Sequence, residues 1–438
     1  MTSRNAFIVF VALLLAAQLL FVHAVAAEEG TVDSKEIERL ERLIKEQQQQ
    51  LQSLQKQVDQ LKQTASDAQI QANEAKSEAN LAKTAVQTKI GELDVSRNTV
   101  YSTPGKVRLA ISGQVHRAVN LADDGKNTKA YYVDSDASNS RVRFVGTAQA
   151  TDDLTMGSII EVAIAPNESS EVSQGNEESG DFFDQRWAEI SVDSKRFGKI
   201  SAGKGSTASD NSAEIDLSKT DVVQYASVAD IAGGLLFRQS NGDDLTNVSV
   251  SDAYQDLDGL GRKSRVRYDT PAFYGFHLAT SLVSDQRYDA SLWWGGQGYG
   301  FKAAGAVAVA YPNADDTDLQ YDGSFSLLHE DTGLNFTLSF GLQERDNQGD
   351  ARNFYAKAGW LTRFFSLGET AFGVDCTRSV NLPTGRDDGY SVGVAAVQQF
   401  EDYGTELYLQ YRLYSLDRDV EPNVQDINVG TIGARVKF

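Results

Sequence analysis

Two periods divide the chain. From Lys35 to Val95, apolar residues recur at alternating spacings of three and four: Ile37, Leu40, Ile44, Leu51, Leu54, Val58 and Leu61, then Ala65, Ala68, Ala72, Ala75, Ala79, Ala82 and Val86 in the same frame. About eight heptads without a stutter, in a stretch lacking proline and aromatic residues, predict an α-helical coiled coil. At a rise of ~1.5 Å per residue the rod would run on the order of 90 Å. Gln47 occupies a core position, where a polar residue fixes register at some loss of stability. The alanine half brings helices close but buries less area.

From about Val107 the period becomes two. In "KVRLAISGQVH", Val107, Leu109, Ile111 and Val115 oppose Arg108, Ser112, Gln114 and His116. "LNFTLSFGLQ" and "ELYLQYRLY" repeat the pattern. The chain closes on "GTIGARVKF", with Ile432, Ala434, Val436 and Phe438 opposite Thr431, Gly433, Arg435 and Lys437. Each segment spans about ten residues, the length of a tilted strand across an outer membrane, whereas strands of soluble sandwiches more often run to five or six. Polar faces that repeatedly carry Arg, Lys, Gln and Glu fit an interior filled with water. Backbone groups in lipid must all be paired, so such a sheet has to close on itself. The expected fold is therefore an all-β transmembrane β-barrel preceded by an α-helical coiled coil.

Short connections at Thr151–Asp153, Asp193–Gly198, Val228–Gly234, Thr270–Gly275, His329–Gly333 and Glu401–Gly404 are expected to face the periplasm. Long acidic stretches at roughly 120–140, 166–183, 205–221 and 241–261 are expected outside. The tally is sixteen or eighteen strands, turning on whether "LWWGGQGYGF" (Leu292–Phe301) is one long strand or a hairpin.

The first residues change the compartment. Arg4, an apolar run from Phe7 to Val22 and the small residues Ala24, Ala26 and Ala27 follow the order of a secretory signal peptide. The expected organisation is a signal peptide over 1–27, a periplasmic coiled coil over 28–96, a linker over 97–106 and an outer-membrane barrel over 107–438. The formal net charge of -20 argues against a nucleic-acid partner. One cysteine, Cys376, permits no intramolecular disulfide, and four histidines offer little for a metal site. Cys376 shares parity with Phe372 and Val374 and is expected on the outer face. No HExxH or GxSxG motif and no His-centred constellation points to catalysis, and no cofactor is expected.

Several stretches resemble the Gram-negative general porin family: "NSRVRFVG" (Asn139–Gly146), "QRWAEISVDSKRFGKISAGK" (Gln185–Lys204) and "RVRYDTPAFYGFHLATSLVSD" (Arg265–Asp285). The terminal Phe438 resembles that family's assembly signal, read by the barrel-insertion machinery. With the heptads in front, the whole resembles DcaP-like porins, although a clear Pro-Glu-Phe-Gly-Gly constriction motif is missing. The resemblance implies a homotrimeric channel whose third outer loop folds inward, here Gly205–Asp221 with Asp210, Glu214, Asp216 and Asp221. Arg141 and Arg186 match the family's strand arginines facing that loop; Arg143 and Arg108 join them by parity. Opposite charges across a narrow wet slot orient dipolar solutes and penalise apolar ones.

The expected function is a water-filled channel for passive diffusion of small hydrophilic solutes and ions. The alternatives are a substrate-specific channel, or a tether between outer membrane and peptidoglycan through the coiled coil. Expected partners are further copies of the chain, outer-membrane lipid and lipopolysaccharide. Acidic outer stretches, with Glu168, Glu171, Glu177 and Glu178 in one and Asp252, Asp256 and Asp258 in another, suit cation sharing with lipopolysaccharide phosphates.

Overall fold

Leu334, Phe336, Leu338 and Phe340 are exposed, while Asn335, Thr337 and Ser339 between them are buried. A strand with polar residues inside and apolar residues outside fits a wall between lipid and water. The computed structural model describes residues 99–101, 107–180, 183–242, 244–314 and 316–438. The signal-peptide and coiled-coil expectations, with Ile37, Leu40, Ile44, Leu51, Leu54, Val58 and Leu61, lie outside these residues.

The wall is a closed antiparallel barrel of sixteen strands. The first strand, β1, is Val107–Asp123, and β2 is in two pieces, Thr128–Asp134 and Arg141–Gln149. Next come β3 (Leu154–Ala163), β4 (Asp184–Ser194), β5 (Gly198–Ser206), β6 (Arg262–Asp269) and β7 (Phe276–Val283). They are followed by β8 (Arg287–Gly298), β9 (Phe301–Tyr311), β10 (Thr317–His329), β11 (Leu334–Arg345) and β12 (Ala351–Phe365). The last four are β13 (Gly368–Val380), β14 (Asp388–Phe400), β15 (Thr405–Asp417) and β16 (Ile427–Lys437). Closure runs from Gln114 opposite Lys437 to Asp123 opposite Asn428. Phe438 exchanges two backbone hydrogen bonds with Gly113, at 2.8 and 2.9 Å. Below that point the edge of β1 is covered by Thr99–Tyr101, which pairs antiparallel with Arg108–Ala110.

Sixteen, not eighteen, is the strand count. "LWWGGQGYGF" is a hairpin between β8 and β9, turning at Tyr299 and Gly300 with φ of 53° and 77°. Positive φ at both positions is the two-residue turn whose twist matches the strands it joins. The stretch 120–140 is not a long loop: it is a hairpin turning at 124–127 and then a bend, 135–140, which interrupts β2. Val228–Gly234 is not a turn between barrel strands either. Residues 207–261 form one insertion between β5 and β6, holding a small hairpin (Leu236–Arg238 with Leu245–Ser249) and one helical turn at Val250–Ala253. Cys376 is exposed on the outer face beside Val374, as its parity predicts.

The insertion supplies the interior of the molecule. Val222, Val223, Val228, Ile231, Phe237 and Tyr254 are buried, packed with Tyr355, Tyr408, Tyr414, Ile427 and Val429 of the wall. Apolar residues buried between loop and wall have no wet face, so they show no alternation by twos. That is why the sequence pattern misplaces this segment.

Candidate functional site

Residues 207–261 run around the inner wall from β8 to β1, fastened by side chains of successive strands. Ser209 donates to Asp289 of β8 at 2.6 Å, and Ser324 and Ser326 of β10 accept from the backbone of Ile215 and Leu217 at 2.9 and 3.0 Å. Gln410 and Tyr414 of β15 donate to the carbonyls of Val223 and Val228, each at 2.7 Å. Asn120 of β1 donates to the carbonyl of Ile231 at 2.6 Å. The loop thus covers one side of the lumen. Ser281 of β7 accepts from the backbone of Ala208 at 2.7 Å, so the inner faces of β2 to β6 and the start of β7 remain. An open pocket of about 810 Å³ lies against them, lined by Arg143, Trp187, Glu189, Asp193, Lys199, Arg265, Arg267, Asp269 and His277.

Three of the four expected arginines meet there on one carboxylate. Arg143 of β2 stands directly opposite Glu161 of β3 in register and ion-pairs with it. Arg186 reaches the same carboxylate at 2.8 Å and Arg141 at 3.6 Å. Glu161 is fully buried beneath them. Arg186 arrives through a β-bulge: Glu161 pairs with Trp187 and Val162 with Gln185, leaving Arg186 as the extra residue. A bulge sends two successive side chains to one face. Trp187 accordingly also enters the lumen, with the guanidinium groups of Arg143 and Arg262 at 5.3 and 5.6 Å from its ring centre, within cation–π range.

Lower on the same wall, Arg265 and Lys199 pair with Glu189, and Arg267 with Asp269 at 2.6 Å. Arg265 also donates to the carbonyl of Ser206 at 2.9 Å and Arg267 to that of Thr207 at 2.6 Å, which orients the loop's first residues. Arg108 shares the inward parity but lies toward the periplasmic end, opposite Thr147, away from this cluster.

The four expected loop acids separate. Asp210 stays near the basic wall, 3.8 Å from Arg262. Glu214 lies within hydrogen-bond reach of Asp256. Burial, then the charges of Asp258 and Asp256, push the Glu214 carboxyl well above the ordinary carboxylate range. Asp258 accepts from the backbone of Asn211 and Ala213 at 2.6 and 2.8 Å. Asp216 instead binds Lys357 on the covered side of the barrel, and Asp221 is exposed.

Sequence reasoning passed over Glu161, Trp187, Glu189, Lys199, Arg265 and Arg267 as site residues. Lys263, Arg265, Arg267 and Asp269, alternating by twos in "RKSRVRYD", carried the signal.

A closed antiparallel barrel, apolar outside, charged and wet inside, and narrowed by its own loop, is a channel of the outer membrane rather than an enzyme. The chain belongs to the Gram-negative porin family, whose sequence model matches residues 79–419. No curated protein matches the chain. Among solved structures it is similar to the anion-selective porin from Comamonas acidovorans, at TM-score 0.53 and 14% identity over 76% of this chain and 100% of that one. OmpT of Vibrio cholerae in its trimer form is similar at TM-score 0.50 and 15% identity, covering 76% and 100%. The outer membrane channel DcaP of Acinetobacter baumannii gives 0.50 and 12%, covering 77% and 99%. At identities this low the likeness shows the shared fold alone.

Proposed function

We propose that the chain forms a homotrimeric, water-filled pore for passive diffusion of small hydrophilic solutes and ions, with the slot between the inward loop and the β2–β7 wall as its narrowest passage. One observation carries the reading: the loop is fastened along β8 to β15 and β1, so the open lumen is confined to the wall where Arg141, Arg143, Arg186, Arg265 and Arg267 gather. Asp210, 3.8 Å from Arg262, gives the loop edge facing that wall the opposite sign. A passing dipole would therefore align across the slot.

Association into a trimer draws support from the outer wall. Arg117 of β1 has outward parity and stands in register with Ala434 of β16, amid the exposed Val115, Leu407 and Ile432. It pairs with Asp134 at 3.4 Å, donates to the carbonyl of Pro166 at 2.8 Å and remains 42% exposed. Arginine facing lipid at mid-bilayer costs about 2–4 kcal/mol. Beside it the break in β2 leaves a notch of about 350 Å³, bordered by Val115, Val142, Ile164 and Phe438. A second copy of the chain covering this face removes the penalty. The heptads of 28–96 suit a periplasmic coiled coil joining the same copies, and Phe438, locked to Gly113, suits a terminal assembly signal.

Planar-bilayer recording of the purified protein tests the reading. Steady ohmic steps closing in threes are expected; an electrically silent protein overturns it.

A further inference from the structure

On the covered side of the barrel one buried ion pair fastens the loop to the wall. Lys357 enters from β12 with its side chain wholly buried. Its ammonium donates to three groups, all from one short stretch of the loop: the carboxylate of Asp216, the hydroxyl of Thr220 at 2.8 Å and the carbonyl of Gln224 at 2.8 Å. Those contacts use every donor a lysine has. Asp375 stands opposite Lys357 in register, but Arg412 engages its Oδ2 at 2.6 Å, so Asp216 serves as the counter-ion of Lys357. The Asp216 side chain is only 4% exposed.

The loop's other ion pairs are exposed or lie away from residues 216–224. Lys219 and Glu369 are partly exposed, where an ion pair holds little. Arg238 meets Asp124 at 2.6 Å near the outer turn of β1 and β2, far along the chain from residues 216–224. In the remaining fastenings along β8, β10 and β15 at most one side is charged: Ser209 and Ser212 donate to the carboxylates of Asp289 and Asp322, and Gln410 and Tyr414 to backbone carbonyls. A buried ion pair behaves otherwise: removing one partner strands the other charge away from water.

We propose that Lys357 is the positioning residue that keeps the slot open, by holding Asp216 and the stretch to Gln224 against the covered wall. The inference rests on the channel reading above. Without the ammonium, the Asp216 carboxylate keeps only the Ser218 amide at 2.8 Å and the Thr337 hydroxyl at 3.5 Å as donors, and it turns to water. Residues 216–224 then move into the passage and block it for short intervals. The dependence has a sign that loss of packing alone does not give. Lys357→Met strands a carboxylate and gates strongly. Asp216→Asn leaves the ammonium two neutral oxygens and gates weakly. In Lys357→Met with Asp216→Asn neither charge is stranded, and the double variant is quieter than Lys357→Met alone.

The test is single-channel recording of the full chain and these three variants, with folding checked by the change in gel mobility on heating. Closures of Lys357→Met are expected to rise on the order of tenfold over the parent, equivalent to about 1.4 kcal/mol, and to fall back in the double variant. Lys357→Gln, which keeps an N–H for the Gln224 carbonyl, is the second variant where the methionine does not fold. It carries the same two expectations. Parent-like closure rates in the folded Lys357 variants overturn the proposal, and so does a double variant as noisy as the single one. A parent that passes no current overturns the channel reading itself, whereas a conducting parent with unchanged variants removes only the clamp.

Discussion

Glu161 shows what one residue does in this lumen. Buried under Arg141, Arg143 and Arg186, it lets three guanidinium groups share one face of the slot without full mutual repulsion. Glu161→Gln keeps the shape and removes the charge, so the basic wall becomes more positive. Anion-to-cation permeability is expected to rise about two- to fivefold, the scale of one nearby charge in a screened aqueous passage, read from the reversal potential under a salt gradient. An unmoved potential refutes this role. The sequence showed these residues unevenly. Arg143 followed from parity with Arg141 on the same piece of β2. Arg186 has the parity of Ile190, which is 68% exposed, and enters the lumen only through the bulge. A rule of twos cannot see a bulge; the resemblance of "QRWAEISV" to a known hairpin did. Glu161 was passed over because "GSIIEVAIA" reads as an apolar run.

Among elements, the strands were the legible part and the inward insertion was not. β11 and β15 meet lipid on one side and polar groups on the other, so each side chain declares its face. Residues 222–237 are pressed between loop and wall, and their apolar run resembled a hairpin. Within the covered wall, register matters more than pattern. Asp375, Gly393 and Arg412 lie side by side on β13, β14 and β15, and Arg412 crosses the glycine to reach Asp375. A Cβ at Gly393 would sit 2.5 Å from the Arg412 Nη2 and 2.7 Å from its Cζ. Gly393→Val is therefore expected to break a buried ion pair and destabilise the barrel by about 3–5 kcal/mol. The check is the temperature at which gel mobility shifts; a barrel with unchanged heat resistance contradicts the crossing.

For the whole molecule, the outer wall separates two surroundings. Arg117→Leu with Asp134→Asn strands no charge within one chain, suits lipid and harms a polar contact between copies. A trimer in which this face is shared is expected to dissociate at lower temperature in the variant, followed by gel mobility without boiling. Greater resistance to heating places lipid against Arg117 instead.

The seating of the loop also limits how such a channel can be altered. Ser209, Ile215, Leu217, Val223 and Val228 each meet a particular partner on β8, β10 or β15, so the inner faces of those strands and residues 207–261 form one fitted unit. A chimera given only a foreign loop inherits mismatched anchor points, while one given the loop with its backing strands keeps them. Tailoring of solute preference by single substitutions is freest at wall positions that seat no part of the loop, such as Arg143 and Lys199.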